Sequence, residues 1–287
     1  ALPGERWRVR LERRLPQGWR AAPLACLTAT ARATPPCPHF GRCGGCRLQH
    51  LPPELYTEQK RGRVRAALAH RGLPEDVVGP LRVTPAASRR RLRLGIARAG
   101  RRLVLGFRER GSHRLEPIAV CPVACPELAA ALAPLAEALG VVLEAPEPVE
   151  VSLALTEAGI DLLLHADRPA ARMEHVRLAG LADGLDLARV SWITAGAAEP
   201  EPIVTRRLPM VHLGDVVVEL PPGSFLQATA FGEAELMRAV AAWSRGANDA
   251  VDLFAGVGTL TFATAGQVRR IRAVEGDAAA AAALRRA

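Results

Sequence analysis

Val251-Asp252-Leu253-Phe254-Ala255-Gly256-Val257-Gly258-Thr259 is the stretch whose reading decides the fold. Val251 to Phe254 reads as a buried strand, Ala255 to Gly258 as a tight loop, and Thr259 onward as a helix. Ile271 to Glu275 reads as the next strand, and Asp277 to Arg286 starts another helix. That order is a β-α-β unit of the doubly wound kind. A short glycine-rich turn between strand and helix lets backbone N–H groups and the helix dipole approach a ligand closely. Glu275 follows the glycines by about twenty residues, where a ribose diol is normally gripped. A dinucleotide and S-adenosylmethionine both fit this pattern. The dinucleotide fingerprint fails, because Thr261 stands where G-x-G-x-x-G requires a third glycine. Asp252 ahead of the glycines suits a cofactor with a positive amine rather than a pyrophosphate, so methyl transfer is the better reading.

Upstream, a helix is expected from about Ala228 to Trp243, with Leu236, Val240 and Trp243 on one side. Pro221-Pro222-Gly223 reads as a linker. Before it, Val149–Leu155, Ile160–His165, Val190–Ile193 and Val216–Leu220 read as strands, with a helix around Ala170–Leu181. This is a mixed α+β scaffold without an obvious catalytic group. Glu127 to Leu139 reads as a helix ending at Gly140. Arg89–Ala97 and Leu103–Phe107 read as a hairpin turning at Ala99-Gly100, with an arginine-rich face suited to tracking phosphates.

A second signal is Cys37-Pro38-His39-Phe40-Gly41-Arg42-Cys43-Gly44-Gly45-Cys46, a C-x5-C-x2-C loop. Gly44-Gly45 lets the backbone curl so that sulfurs converge. Cys121 or Cys125 could add a fourth thiolate. An iron–sulfur cluster suits this set, with tetrahedral zinc as its rival. Pro52-Pro53 sets up a helix from about Glu54 to His70, whose apolar side is Leu55, Val64, Ala67 and Leu68; Gly72 and Pro74 stop it. At the front, Trp7 to Glu12 alternates as a half-buried strand and Trp19 to Leu27 reads as a second. Cys26 reads as a small buried hydrophobe.

Charge is unevenly placed. Residues 1–125 hold 25 Lys+Arg against 8 Asp+Glu, a net +17; the remainder holds 13 against 21, a net −8, in keeping with +9 overall. Lys60 is the only lysine, so nearly all the positive charge is guanidinium, which pairs bidentately with phosphate. A basic N-terminal half points to nucleic acid. No stretch has the length of a membrane span, no apolar leader follows Ala1, and clustered cysteines suit reduced thiols; a cytoplasmic monomer without membrane contact is expected.

Together these pieces resemble the S-adenosylmethionine-dependent RNA (uracil-5-)-methyltransferases, especially the iron–sulfur 23S ribosomal RNA branch. Cys37 to Cys46 with Gln49-His50 is similar to that family's cluster loop. Gly106 through Cys121-Pro122 is similar to the stretch carrying the fourth ligand, so the resemblance prefers Cys121 over Cys125. Ser224-Phe225-Leu226-Gln227 resembles the opening of the catalytic domain, with Gln227 on the cofactor and Phe225 near the target base. Asp252 to Thr259 and Val274-Glu275-Gly276 resemble the cofactor motifs.

The resemblance implies α/β and α+β architecture in three parts. These are a partial β-barrel module of TRAM/OB-like type at 1–34, an iron–sulfur loop with a central α+β domain at 35–220, and the start of a Rossmann-like methyltransferase domain at 221–287. It implies S-adenosylmethionine held by Gln227, Asp252, Phe254, Gly256, Gly258 and Glu275, and a [4Fe-4S] cluster (alternatively zinc) on Cys37, Cys43, Cys46 and Cys121. RNA would meet Phe225, Arg89, Arg90 and Arg91; 23S ribosomal RNA is the first expectation and transfer RNA the second.

The implied chemistry is addition of a cysteine thiolate to uracil C6, attack of C5 on the methyl sulfonium, and removal of the C5 proton by a general base. In the family that cysteine lies in a Ser-Cys-Asn-Pro-like motif past the second cofactor strand, a position beyond Ala287, and the base lies later. A methyltransferase sheet has about seven strands, whereas two are readable here. The reading is therefore a chain truncated at both ends and inactive as given, its rival being a non-catalytic iron–sulfur RNA-binding protein. Purified residues 1–287 are expected to transfer no methyl group to ribosomal RNA in a radiolabelled-methyl assay; turnover would overturn the placement of the nucleophile.

Overall fold

The computed structural model describes residues 2, 4–99, 102–143 and 150–287. The expected turn at Gly100 and the first residue of the strand expected from Val149 lie outside the described residues. The chain divides into two compact units, residues 1–40 with 46–83, and residues 41–45 with 84–287.

In the first unit, β1 (Arg6–Leu15) and β2 (Gly18–Thr28) pair antiparallel. The expectation of a half-buried first strand fails, because Val9 and Leu11 are exposed, as are Trp19, Leu24 and Leu27 on β2. A two-stranded ribbon has no second layer on which to lay its apolar side chains. No barrel is formed among the described residues. Cys26 is likewise exposed rather than buried, and its thiol donates to the Thr28 carbonyl at 3.4 Å. The expected helix is α1 (Pro53–Ala69), and it contains no buried residue. Gly72, with φ +68°, occupies the left-handed conformation that lets the Leu73 amide close back on the Leu68 carbonyl.

The second unit is built on a seven-stranded sheet. Its strands are β3 (Arg91–Ala99), β4 (Arg102–Arg108), β5 (Leu115–Pro117), β6 (Glu150–Thr156), β7 (Gly159–Ala166), β8 (Arg189–Thr194) and β9 (Glu201–Thr205), in the order β5-β4-β3-β6-β7-β8-β9. All neighbours are antiparallel except β7 and β8. That parallel pair needs a crossover, and α3 (Arg172–Gly184) supplies it. Between β5 and β6 runs α2 (Pro126–Val142). Its stripe Leu128, Leu132, Leu135, Leu139 and Val142 is buried in one core with Leu92, Leu94, Val151, Leu153, Leu162, Leu164, Val190 and Trp192. The helix was expected to stop at Gly140 but runs on. Burial of Val142 and Leu143 in that core outweighs the glycine's preference for a terminus.

Two carboxylates inside this layer are fully compensated. Asp161 on β7 faces Arg189 on β8 and accepts from its Nε at 2.9 Å and Nη2 at 2.7 Å. Glu174 accepts from Arg168 through both oxygens and from the Ala171 amide at the start of α3.

A hairpin of β10 (Met210–Leu213) and β11 (Val216–Glu219) follows, then α4 (Ala230–Trp243), β12 (Asp249–Leu253), α5 (Thr259–Ala265), β13 (Arg270–Val274) and α6 (Ala278–Arg286). β12 and β13 pair in parallel, completing the expected β-α-β unit. A second apolar cluster joins Val211, Leu213, Val218 and Leu220 to Leu226, Val257, Ala280 and Ala283, so packing crosses the expected boundary at 221. The Pro221-Pro222-Gly223 segment is a packed turn rather than a loose linker. The Ser224 amide closes on the Pro221 carbonyl, and a Cβ on Gly223 would lie 2.8 Å from a Leu163 methyl. β12 is not buried, with Val251 63% and Leu253 62% exposed, because this sheet has two strands among the described residues. Leu236 and Trp243 on α4 are exposed as well, and its one buried residue is Glu233.

The Asp161–Arg189 pair gives a stability test. Arg189→Met leaves a buried carboxylate alone and should cost about 3–5 kcal/mol, while the double change Asp161→Leu with Arg189→Met should recover most of it. Urea unfolding of the two variants measures both.

Candidate functional site

The turn after β12 is shaped by two glycines with different jobs. Gly258 has φ +104°, and a Cβ there would lie 2.5 Å from the Phe262 ring. It lets the first turn of α5 pack against its own surroundings. Gly256 has φ +58° with nothing within 4 Å of where a Cβ would stand. Its side of the loop is open, the space a ligand approaching the backbone needs. Phe254 also has positive φ, +60°, and is 91% exposed. A non-glycine residue held in that region is strained, and such strain concentrates at ligand-binding sites.

Glu275, one residue past β13, is tied into the same loop. Its Oε2 accepts from the Gly256 amide at 2.6 Å and its Oε1 from the Asp277 amide at 2.8 Å. Amide donation from Asp277 first, then from Gly256, holds its carboxyl below the usual glutamate range. Each oxygen keeps a second lone pair for hydroxyl donors. Asp277 in turn caps α6 by accepting from the Ala280 amide. Within β12, Asp252 accepts from the Thr261 hydroxyl at 2.6 Å through Oδ2, and Oδ1 has no partner among the described residues. Thr261 is therefore a positioning residue for Asp252. The sequence showed it only as the position where a dinucleotide motif fails.

Asp252, Phe254, Gly256, Gly258 and Glu275 thus share one strand–loop–strand end. Gln227 lines a groove of about 270 Å³ with Arg89, Ser88, Thr84 and Thr229. Phe225 is exposed, with the Arg91 guanidinium 4.4 Å above its ring. The three consecutive arginines divide. Arg90 turns inward, pairing with Glu233 at 2.8 Å and donating to the Gln227 carbonyl at 3.2 Å. It joins β3 to α4 and is not displayed to a ligand. Arg89 and Arg91 have no carboxylate partner among the described residues. Glu233 was missed from the sequence because an acid in the first turn of a helix is ordinary there.

The cysteines fall into different surroundings. Gly44 donates to the Arg108 carbonyl at 2.9 Å, and a Cβ on it would lie 2.8 Å from that oxygen. Its glycine is required by this close approach, not only by convergence of sulfurs. The Gly45 amide donates to Cys43 Sγ at 3.4 Å. Cys43 and Cys121 belong to the second unit, Cys37 and Cys46 to the first. Among the described residues no group of three His, Cys, Asp or Glu side chains is placed to hold a metal ion. Cys125 is buried at the start of α2, and burial pushes its thiol up, which suits an inert core residue. No helix among the described residues is long and apolar enough to cross a membrane.

No family model matches the chain. An uncharacterized RNA methyltransferase of Caulobacter vibrioides is 38% identical over 294 residues, covering 100% of this chain and 68% of the relative. The 23S rRNA (uracil(1939)-C(5))-methyltransferase RlmD of Chromohalobacter salexigens is 37% identical over 295 residues, covering 97% and 61%. The chain spans about two thirds of the length of the curated relatives it matches. Among solved structures, the Pyrococcus abyssi tRNA (uracil-54, C5)-methyltransferase in complex with S-adenosyl-L-homocysteine superposes with TM-score 0.69 at 20% identity, covering 97% of this chain and 67% of that one, a likeness of fold. By its sequence relatives, the chain belongs to the RNA methyltransferases.

Proposed function

We propose that the chain binds S-adenosylmethionine on the loop between β12 and α5, and serves transfer of its methyl group to C5 of a uridine in RNA, with 23S ribosomal RNA as the substrate. The observation that carries this is the carboxylate of Glu275, fixed by the amides of Gly256 and Asp277 beside an open glycine face. When bound, S-adenosylmethionine supplies an electrophilic methyl group on a sulfonium centre. Glu275 would accept from the ribose hydroxyls, Asp252 would offset the positive amine, and Phe254 would offer an apolar face. Arg89 and Arg91 would meet phosphates, and Phe225 an unstacked base. The name of the Chromohalobacter salexigens relative favours ribosomal RNA; that of the Pyrococcus abyssi structure favours transfer RNA as the second substrate class. The nucleophile is assigned to none of the six cysteines, all of which precede β6 in the chain.

A [4Fe-4S] cluster belongs to this proposal on the C-x5-C-x2-C spacing of Cys37, Cys43 and Cys46, with Cys121 added by the family resemblance. Anaerobic purification should give a brown protein with iron and sulfide, both lost in Cys46→Ala. Colourless protein with stoichiometric zinc would replace the cluster by the tetrahedral alternative.

Calorimetry with S-adenosylhomocysteine tests the cofactor site. The chain should bind one equivalent, and Glu275→Ala should weaken binding about tenfold or more. Unchanged affinity would remove Glu275 from the site. Because the folded pKa of Glu275 lies below 4.5, its stabilisation of the loop is complete above pH 4.5 and is lost as pH falls through the depressed value. The Gly256 and Asp277 amide resonances should therefore hold steady down to pH 4.5 and move below it.

A further inference from the structure

The face of the central sheet opposite the buried leucines carries a cleft of about 290 Å³. Strand alternation fills it. Leu92 and Leu94 point into the core, so Arg91 and Arg93 point into the cleft. Val151 and Leu153 point inward, leaving Ser152 outward, and Leu164 inward leaves His165 outward.

The cleft is short of negative charge. Asp161 borders it, but both its oxygens are taken by Arg189. Arg93 is held by Glu150 at 2.8 Å. Arg89 and Arg91 face no carboxylate partner among the described residues, and Arg91 lies under partial burial beside Arg89 and Arg90. An anion arriving there relieves repulsion that the protein leaves uncompensated.

Deeper in, Ser152 Oγ and His165 Nε2 are 2.9 Å apart, and His165 Nδ1 has no partner among the described residues. Burial, and then the Arg93 guanidinium, keep the imidazole pKa below its ordinary value, so the ring is neutral near pH 7. A neutral imidazole whose Nε2 is engaged by a hydroxyl leaves Nδ1 as the nitrogen open to a partner. That suits the edge of a base, whereas a phosphate would call for a cation.

We infer that this cleft is a nucleotide subsite, taking the phosphate of an unpaired nucleotide on Arg89 and Arg91 and reading its base against His165 and Ser152. Its occupant is assigned as a neighbour of the modified uridine, so that the site sets specificity and position. Phe225, exposed beside Arg91, continues the path as a stacking platform for the next base. The inference rests on the RNA reading above and adds two residues to it, Ser152 and His165.

The test is fluorescence anisotropy with a labelled RNA hairpin bearing an unpaired loop, over a salt series and with each loop base substituted in turn. Arg91→Ala should weaken every sequence about tenfold and reduce the salt slope by about one. His165→Gln should leave the salt slope unchanged and erase the preference at one loop position. Arg91→Lys, which keeps the charge, should keep the slope and guards against an Arg91→Ala protein that fails to fold. RNA binding indifferent to both Arg91→Ala and His165→Gln would overturn this subsite alone. Absence of any RNA binding by the unaltered protein at low salt would overturn the RNA reading and the subsite with it.

Discussion

Two backbone amides converge on one carboxylate. Gly256, in the turn after β12, and Asp277, at the start of α6, both donate to Glu275. The bond to Gly256 ties the end of β13 to the loop after β12, as the parallel pairing of the strands does through their ladder. Around it the other features fall into place. Gly258 lets α5 begin hard against Phe262, and Thr261 on that helix orients Asp252 back in the strand. Asp277 uses its side chain on α6 while its amide holds Glu275. A substitution at any of these points disturbs a loop held together mostly through backbone amides.

The arginines show why composition alone overstates a nucleic-acid surface. Arg189, Arg168 and Arg90 are spent on Asp161, Glu174 and Glu233, and Arg206 and Arg207 share Asp186. These are structural cations, fixing strand to strand and helix to sheet. What remains for a polyanion is the set whose guanidinium groups have no acid partner among the described residues, Arg89 and Arg91 among them. The charge asymmetry of the sequence points to a half of the chain and not to particular residues.

Elements with strong local patterns were legible. The glycine turn, the β-α-β order, the leucine stripe of α2 and the alternation in β3, β6 and β7 were all readable because each depends on near neighbours. Three strands were not anticipated: β5, β9 and β10 are short, and Pro117 and Pro202 argue locally against strand. Their pairing comes from the sheet beside them. Burial was misjudged wherever an apolar pattern lacked a second layer, as in β1, β2, β12 and α4. Asp252 and Glu275 stand out in the sequence itself, whereas Thr261, Glu233, Ser152 and His165 acquire meaning only from partners on other elements. The inward turn of Arg90 was invisible for the same reason.

Amide hydrogen exchange with and without S-adenosylhomocysteine decides whether the turn tied by Glu275 is the cofactor site. Added protection is expected at residues 252–258 and 274–277, with the central sheet unchanged. Protection confined to other segments, or none at saturating ligand, would contradict that assignment.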